Sequence, residues 1–345
     1  MITSDDMAYC HDAIRHGSLS FHAASKLLPA SVRNPALVLY AFCRVADDEV
    51  DLTQHKAAAV LDLRDRLDRV YAGRPRNAPC DRAFAAVVEE FDMPRALPEA
   101  LLEGLAWDAE GRRYRTMQEL HAYSARVASA VGAMMCVLMR VREPQALARA
   151  CDLGVAMQLT NIARDVGEDA REGRLYLPLD WFEALGMDPD AFLANPEPDH
   201  RITRMTRALI READVLYARS EAGVKMLPLG ARPGIFAARY IYAGIGRRLG
   251  RMGYDSVSDR ARTTKMQKLG WLWLAGARAS VTLVMPRSAL FYAAALPQTS
   301  FLVEAAAMSE VQQDWSDNLI STFAQLAERD QIRRDALLTS GRRSI

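Results

Sequence analysis

Two clusters of aspartate carry the residues most able to do chemistry. The first lies in AFCRVADDEVD, with Asp47, Asp48 and Asp51. On a helix Asp47 and Asp51 share a face, and Arg44 lies one turn earlier on the same side. The second lies in QLTNIARDVGEDAREGRLYLP, where Gln158, Asn161, Asp165 and Asp169 trace one helical stripe. Arg164 precedes these aspartates, and Arg171 and Arg174 follow them. Oxygen ligands without His or Cys select a hard ion such as Mg²⁺, which is usually held by one or two carboxylates plus substrate phosphate oxygens. Two such helices facing each other across a cavity can clamp magnesium, with a diphosphate bridging the metals and arginines completing its neutralisation. The chemistry implied is ionisation or transfer of a diphosphate ester. A single D-x-x-x-D pair is common decoration on a solvated helix. Two pairs in apolar sequence, each with an arginine nearby, favour the metal site over that reading. No D-x-D-x-D-G calcium loop occurs.

The elements that position these stripes read as helices almost throughout. Ala, Leu, Arg, Glu and Met dominate, and alternating runs of β-branched and aromatic residues are absent. Pro29 and Pro35 fall between a first and a second helix, GRPRNAPC (73–80) forms a loop, and Pro94, Pro98 and Pro144 mark helix starts. The Pro-rich stretch 185–200 reads as a polar loop. The expectation is one all-α domain over residues 1–300, followed by a C-terminal helix and polar tail over 301–345. Lys and Arg total 44 against 43 Asp and Glu, a formal charge of +1, which argues against a nucleic-acid binder. The five scattered cysteines form no CxxC pair and no signal-like start is visible, so a cytoplasmic location is expected. The apolar run LGWLWLAGARASVTLVM (269–285) is short for a membrane span and carries Arg278 at its middle. It reads as a buried helix or, alternatively, as one dipping into a membrane surface. Val311, Trp315, Leu319, Phe323 and Leu326 form a second helical stripe, a packed last helix or a membrane-surface one.

Five segments in order make the sequence resemble the squalene/phytoene synthase family of head-to-head prenyl transferases, above all its bacterial phytoene-forming members. They are GSLSF (17–21), LYAFCRVADDEVD (39–51), YSARVASAVG (123–132), QLTNIARDVGEDAREGRLYLP (158–178) and IYAGIGRRLGRMGYD (241–255). The resemblance runs from Tyr9 to Arg262. It implies an all-α isoprenoid synthase fold around a central cavity, with both acidic motifs at its mouth and an apolar tunnel below. It also implies Mg²⁺ (Mn²⁺ as an alternative), prenyl diphosphate substrates, and a cyclopropylcarbinyl diphosphate formed from two molecules before rearrangement and proton loss. For the phytoene-forming members the substrate is geranylgeranyl diphosphate, the product is C40 phytoene, and no NADPH is needed.

Roles follow from the same resemblance. Asp47 and Asp51 hold metal from the first helix, and Asn161, Asp165 and Asp169 from the second, with Asp48 in support. Arg44, Arg164 and Arg260 contact diphosphate, Gln158 lies on the same stripe, and Ser18 and Ser20 flank the diphosphate. Tyr40, Tyr123 and Tyr242 line the reaction centre, while Phe21, Val127 and Val131 line the hydrocarbon cavity. Membrane contact follows from the greasy substrate and product, and carotenoid-pathway enzymes are the expected protein partners. One departure stands out: Ser129 occupies a position that is commonly Gly in the family, leaving the helix packing there open.

Three other readings compete. A farnesyl-diphosphate-using member makes squalene, hydroxysqualene or dehydrosqualene. Head-to-tail prenyl transferases also pair aspartate helices, but NIARDVGED fits them poorly. A non-catalytic relative would have lost acidic residues, and both pairs are intact. Ser25, one turn beyond Phe21, is small, as are Ala23 and Ala24; small residues on this wall lengthen a tunnel and favour the C20 substrate. Replacing Ser25 by Phe is therefore expected to shift preference towards farnesyl diphosphate. Competition between the C15 and C20 substrates measures this, and an unchanged preference rejects the steric argument.

Overall fold

Helices account for every regular element among the described residues of the computed structural model, which are 2–17, 19–51, 56–286 and 288–308. The order is α1 (Ser4–Gly17), α2 (Leu19–Ser25), α3 (Ala30–Asp51), α4 (Lys56–Tyr71), α5 (Pro79–Phe91), α6 (Ala96–Ala109) and α7 (Met117–Ser124). A π-helical turn (Ala125–Ser129) leads into α8 (Ala130–Leu138) and the long α9 (Pro144–Arg171). Then come α10 (Leu179–Ala184), α11 (Pro189–Ala194), α12 (His200–Val224), α13 (Arg232–Arg251), α14 (Lys265–Val281) and α15 (Ser300–Ala307).

The helix ends follow local chemistry. Pro79 and Pro144 open α5 and α9, where a missing N–H leaves no bond unmade. Thr264 and Gln267 form a reciprocal capping box at the start of α14. Gly173, with φ of +75°, turns the chain out of α9. Two expectations change. Pro35 lies inside α3 rather than before it, in the second turn, where its ring removes one backbone hydrogen bond. The 185–200 stretch contains the short α11, nucleated by the Asp188 side chain accepting from the Asp190 backbone N–H at 2.9 Å.

Helix α9 organises the core. Leu147, Ala148 and Cys151 near its start pack into a cluster shared with α1, α3, α5, α6 and α8. Val155, Leu159, Ile162 and Val166 further along pack into a second cluster with α12 and α13. Ser129 is accommodated by the π turn: its hydroxyl donates to the Cys151 carbonyl at 2.7 Å. Gly154 of α9 faces it so closely that a Cβ there would sit 2.5 Å from the Ser129 Cα. Helix α15 packs on α6, α8 and α9, so the compact unit runs through Ala307. The helix expected around Val311 to Leu326 and the polar tail lie outside the described residues.

The run 269–285 is not a buried helix. Helix α14 packs on α13 through one face, with Trp271 pressed on Gly244. Its opposite face leaves Met266, Leu269, Trp273 and Val281 in solvent, Trp273 at 77% exposure. No helix among the described residues is long and apolar enough to cross a membrane.

Candidate active site

A cavity of about 320 Å³ runs through the helical body, walled by α2, α3, the π turn, α8, α9, α12 and α13. Its lining from α9 is one stripe, Ala146, Arg149, Ala150, Leu153, Gly154, Met157, Gln158 and Asn161, at the spacing of a single helix face. The same stripe continues into Asp165 and Asp169. One helix face therefore presents apolar wall along most of its length and oxygen-bearing side chains at one end. Opposite it, Tyr40 and Cys43 of α3 line the cavity one turn before Arg44 and Asp47. The two acidic motifs thus flank the same end of the cavity.

Arginines occupy the carboxylates at that end. Arg44 donates from Nη1 to Asp47 at 3.3 Å and from Nη2 to Asp48 at 2.5 Å. Arg164 grips Asp165 with both Nε and Nη2, at 2.7 and 2.5 Å. Arg260, from the segment after α13, donates from Nε to the same Asp165 at 2.7 Å and from Nη1 to Glu168 at 3.0 Å. Asn161 donates to Gln158 at 3.5 Å. Burial, with the negative charge of Asp165 added, pushes the Asp169 carboxyl up to about 7. The structure places Arg44 beside Asp47 on α3, and Gln158, Asn161, Arg164, Asp165 and Asp169 along the end of α9 with Arg260 bonded to Asp165. Asp51 ends α3 and Ser20 lies on α2, but their side chains, and all of Ser18, fall outside the described residues.

Aromatic groups close the space next to these charges. The Phe21 ring lies 6.1 Å from Tyr40 and 5.7 Å from Tyr242, all three lining the cavity, and Val127 and Val131 line it from the π turn and α8. Burial pushes the Tyr242 hydroxyl up to about 12. Tyr123 departs from expectation because it does not line the cavity. Its hydroxyl donates to Asp108 at 2.8 Å, and its ring lies between Tyr114 and Tyr176 at centroid distances of 5.1 and 5.3 Å. Arg171, flanking the second motif, reaches away to the Val257 carbonyl at 2.6 Å.

Residues 14–268 match the family described as squalene/phytoene synthase. The chain belongs to the squalene/phytoene synthase family. It is 62% identical to a phytoene synthase of Cereibacter sphaeroides across 98% of both chains. It is 59% identical to a phytoene synthase of Rhodobacter capsulatus, over 96% of this chain and 98% of that one. Among solved structures, a dehydrosqualene synthase in complex with ligand superposes with a TM-score of 0.73 at 28% identity, covering 80% of this chain and 97% of that chain.

In this squalene/phytoene synthase chain two features escaped sequence reasoning. Glu168, the partner of Arg260, lies between the two aspartates of the second motif and was legible there as a third acid one turn from Asp165. Asp108 at the end of α6 was not, because it accepts hydrogen bonds from Tyr123 and Tyr176, each at 2.8 Å, across the fold. Burial pushes Asp108 up to about 6, with Asp47 adding to the rise and Arg174 opposing it. Asp108 therefore senses the first acidic helix, while Tyr176 senses Asp169 of the second.

Asp108 and Asp169 both have folded-state pKa values above the ordinary carboxylate value near 4. Their contribution favours the fold fully below about pH 4, and it is lost as pH rises through about 6 for Asp108 and about 7 for Asp169. Through these two groups the protein is expected to lose Tm between pH 5.5 and 8, and Asp169→Asn to lose less. Scanning calorimetry of both proteins tests this, and an equal pH dependence in the variant rejects it.

Proposed function

We propose that this chain is a prenyltransferase that condenses two geranylgeranyl diphosphates head to head, through a cyclopropylcarbinyl diphosphate, to phytoene in carotenoid biosynthesis. The observation that carries this is an apolar cavity ending between two carboxylate- and arginine-bearing helices, in a chain closely similar to phytoene synthases over its whole length.

The residues fit a hard divalent cation. Their donors are carboxylates and amide oxygens, and burial with the charge of Asp165 holds Asp169 away from its charged form, a cost that a bound cation would offset. Asp47 and Asp51 from α3, with Asn161, Asp165 and Asp169 from α9, would hold Mg²⁺ or Mn²⁺. When bound, the metal neutralises the diphosphate and eases its departure. Arg44, Arg164 and Arg260 then exchange carboxylate for phosphate oxygens, a geometry guanidinium matches equally well. Phe21, Tyr40 and Tyr242 turn aromatic surface towards the allylic cation and exclude water. The raised Tyr242 hydroxyl stays protonated, so it offers a hydrogen bond to leaving diphosphate and no phenolate to trap the cation. Proton loss rather than hydride delivery ends the sequence, so NADPH has no part in it.

Incubation of purified protein with Mg²⁺ and geranylgeranyl diphosphate, without NADPH, is expected to yield a C40 hydrocarbon. EDTA or Asp165→Ala should lower turnover by about a hundredfold or more, the scale on which a removed charge-stabilising group acts. Product only from farnesyl diphosphate would move the assignment to the C30 branch, and product from neither would reject catalysis.

The same reading includes a cytoplasmic protein seated on the membrane surface, where a C40 hydrocarbon can leave. Its support is the outward stripe of α14, continued by Val284 at 85% exposure, on a helix whose other face is spent on α13. The protein should float with anionic liposomes and Trp273→Glu should release it; a wild-type protein left wholly unbound would remove this part.

A further inference from the structure

The apolar end of the cavity is closed by two short turns. Helices α2 and α12 finish here, and α3, α9 and α13 begin here, so part of the wall is made where the chain reverses. Leu28, in the turn between α2 and α3, lines the cavity, and Pro29 next to it is exposed. Leu227, in the turn between α12 and α13, lines it too, while Leu229 two residues on is 58% exposed. One layer of side chains therefore separates the cavity from the surface. The backbone bonds of each turn stay local: the Leu28 N–H donates to the Ser25 carbonyl and the Ala231 N–H to that of Pro228. Leu28 packs on Gly234 at the start of α13, where a Cβ would fall 2.5 Å from the Leu28 Cδ2, and Pro29 lies against Gly230. Among the described residues no hydrogen bond joins the two turns, so this seam parts at the cost of apolar contact alone.

The surface around the seam matches lipid. Arg232 donates from Nη1 to the Thr282 hydroxyl at 2.9 Å and Lys225 donates to the Met285 carbonyl, which sets residues 282–285 beside the α12–α13 turn. Leu283, Val284 and Met285 are exposed and extend the outward stripe of α14 towards Leu229. The segments 26–36, 225–235 and 282–286 carry Lys26, Arg33, Lys225 and Arg232 and no acid, a charge suited to anionic headgroups. At the other end of the cavity stand carboxylates and guanidiniums, and a C40 hydrocarbon leaving there would pass charge and enter water. We propose that the seam between the α2–α3 and α12–α13 turns is a product portal, opened as Leu28 moves off Gly234, through which the hydrocarbon passes directly into a lipid bilayer. This rests on the phytoene-forming and membrane-seated readings above and assigns the route that joins them.

The experiment staples the seam. A Cβ on Gly230 would lie 3.8 Å from that of Pro29, a separation that a disulfide spans. Pro29→Cys/Gly230→Cys is given one turnover of labelled geranylgeranyl diphosphate with Mg²⁺, then anionic liposomes, and transfer of the hydrocarbon to them is timed. The wild-type protein under the same oxidant is the control. The oxidised variant is expected to release product slower by about tenfold or more and reductant to restore the rate, while Leu28→Ala should release it faster by a similar factor. A disulfide that forms and leaves release unchanged overturns the proposal, as does loss of the first turnover itself, which would make the seam an entrance. Where the disulfide does not form, an unchanged rate in Leu28→Ala overturns it. Flotation reads the membrane seat separately: a protein that floats but ignores the staple loses the portal alone, and one that never floats loses both. Absence of product from the wild-type protein rejects the substrate reading instead. The seam is then read from transfer of a preloaded C40 polyene to liposomes, with the same outcomes.

Discussion

The structure is governed by the need to hold carboxylates at the edge of a hydrocarbon cavity. Burial raises the Asp169 carboxyl to about 7 and Asp108 to about 6, so the environment opposes their charge. Unpaired, such groups would neutralise and cease to attract a cation. Asp47 and Asp165 are paired directly with arginines. Helix α9 then has to be positioned so that one face meets both conditions, apolar for most of its length and acidic for its last turns. Its close approaches serve this. Gly154 admits the π turn that carries Val127 to the cavity, and Gly167 admits the Ser256–Val257 backbone of the segment that brings Arg260 to Asp165.

On the proposed reading, the pairing of arginine with carboxylate sets how the site would fill. Arg164 and Arg260 together cover both oxygens of Asp165, so a divalent ion would reach that carboxylate only as the guanidiniums left it. Diphosphate offers them an equivalent set of oxygens. Metal and diphosphate would therefore favour each other's binding, and by linkage the effect would be reciprocal. A site so arranged avoids holding metal ions idle in an open mouth. Asp108, bonded to Tyr123 and Tyr176 between the acidic helices, gives this rearranging region a fixed wall.

What was legible in the sequence is what a single helix writes at three- and four-residue spacing. The stripes through Asp47 and through Asn161, Asp165 and Asp169 are such patterns, and the family resemblance extended them to Phe21, Tyr40, Tyr242 and Arg260, which the fold gathers at one end of the cavity. Features made between distant segments left no local trace. Tyr123 matched the family motif but turns to Asp108, fifteen residues away, and Tyr176, fifty-three away, completes the cluster. The π turn was foreshadowed only by Ser129 standing in for Gly. Helix α14 misled because hydrophobicity on both faces reads as burial, whereas only the α13 side is covered.

Arg149 is a case where composition points one way and structure another. A hydrocarbon tunnel needs no cation, and replacing a buried ion pair with apolar residues of similar volume is often neutral or stabilising. Burial lowers the pKa of Arg149 and raises that of Asp152, each away from its charged form. Stability is thus a poor account of why the pair is there. What it supplies is a tie between elements: Arg149 and Arg219 share Asp152 and join α9 and α12 to the carbonyls of Leu290 and Ala294. Apolar walls of Met, Leu and Val adapt to whatever chain enters. Bonds with fixed direction hold this part of α9 in place, so that the apolar stripe further along keeps its position.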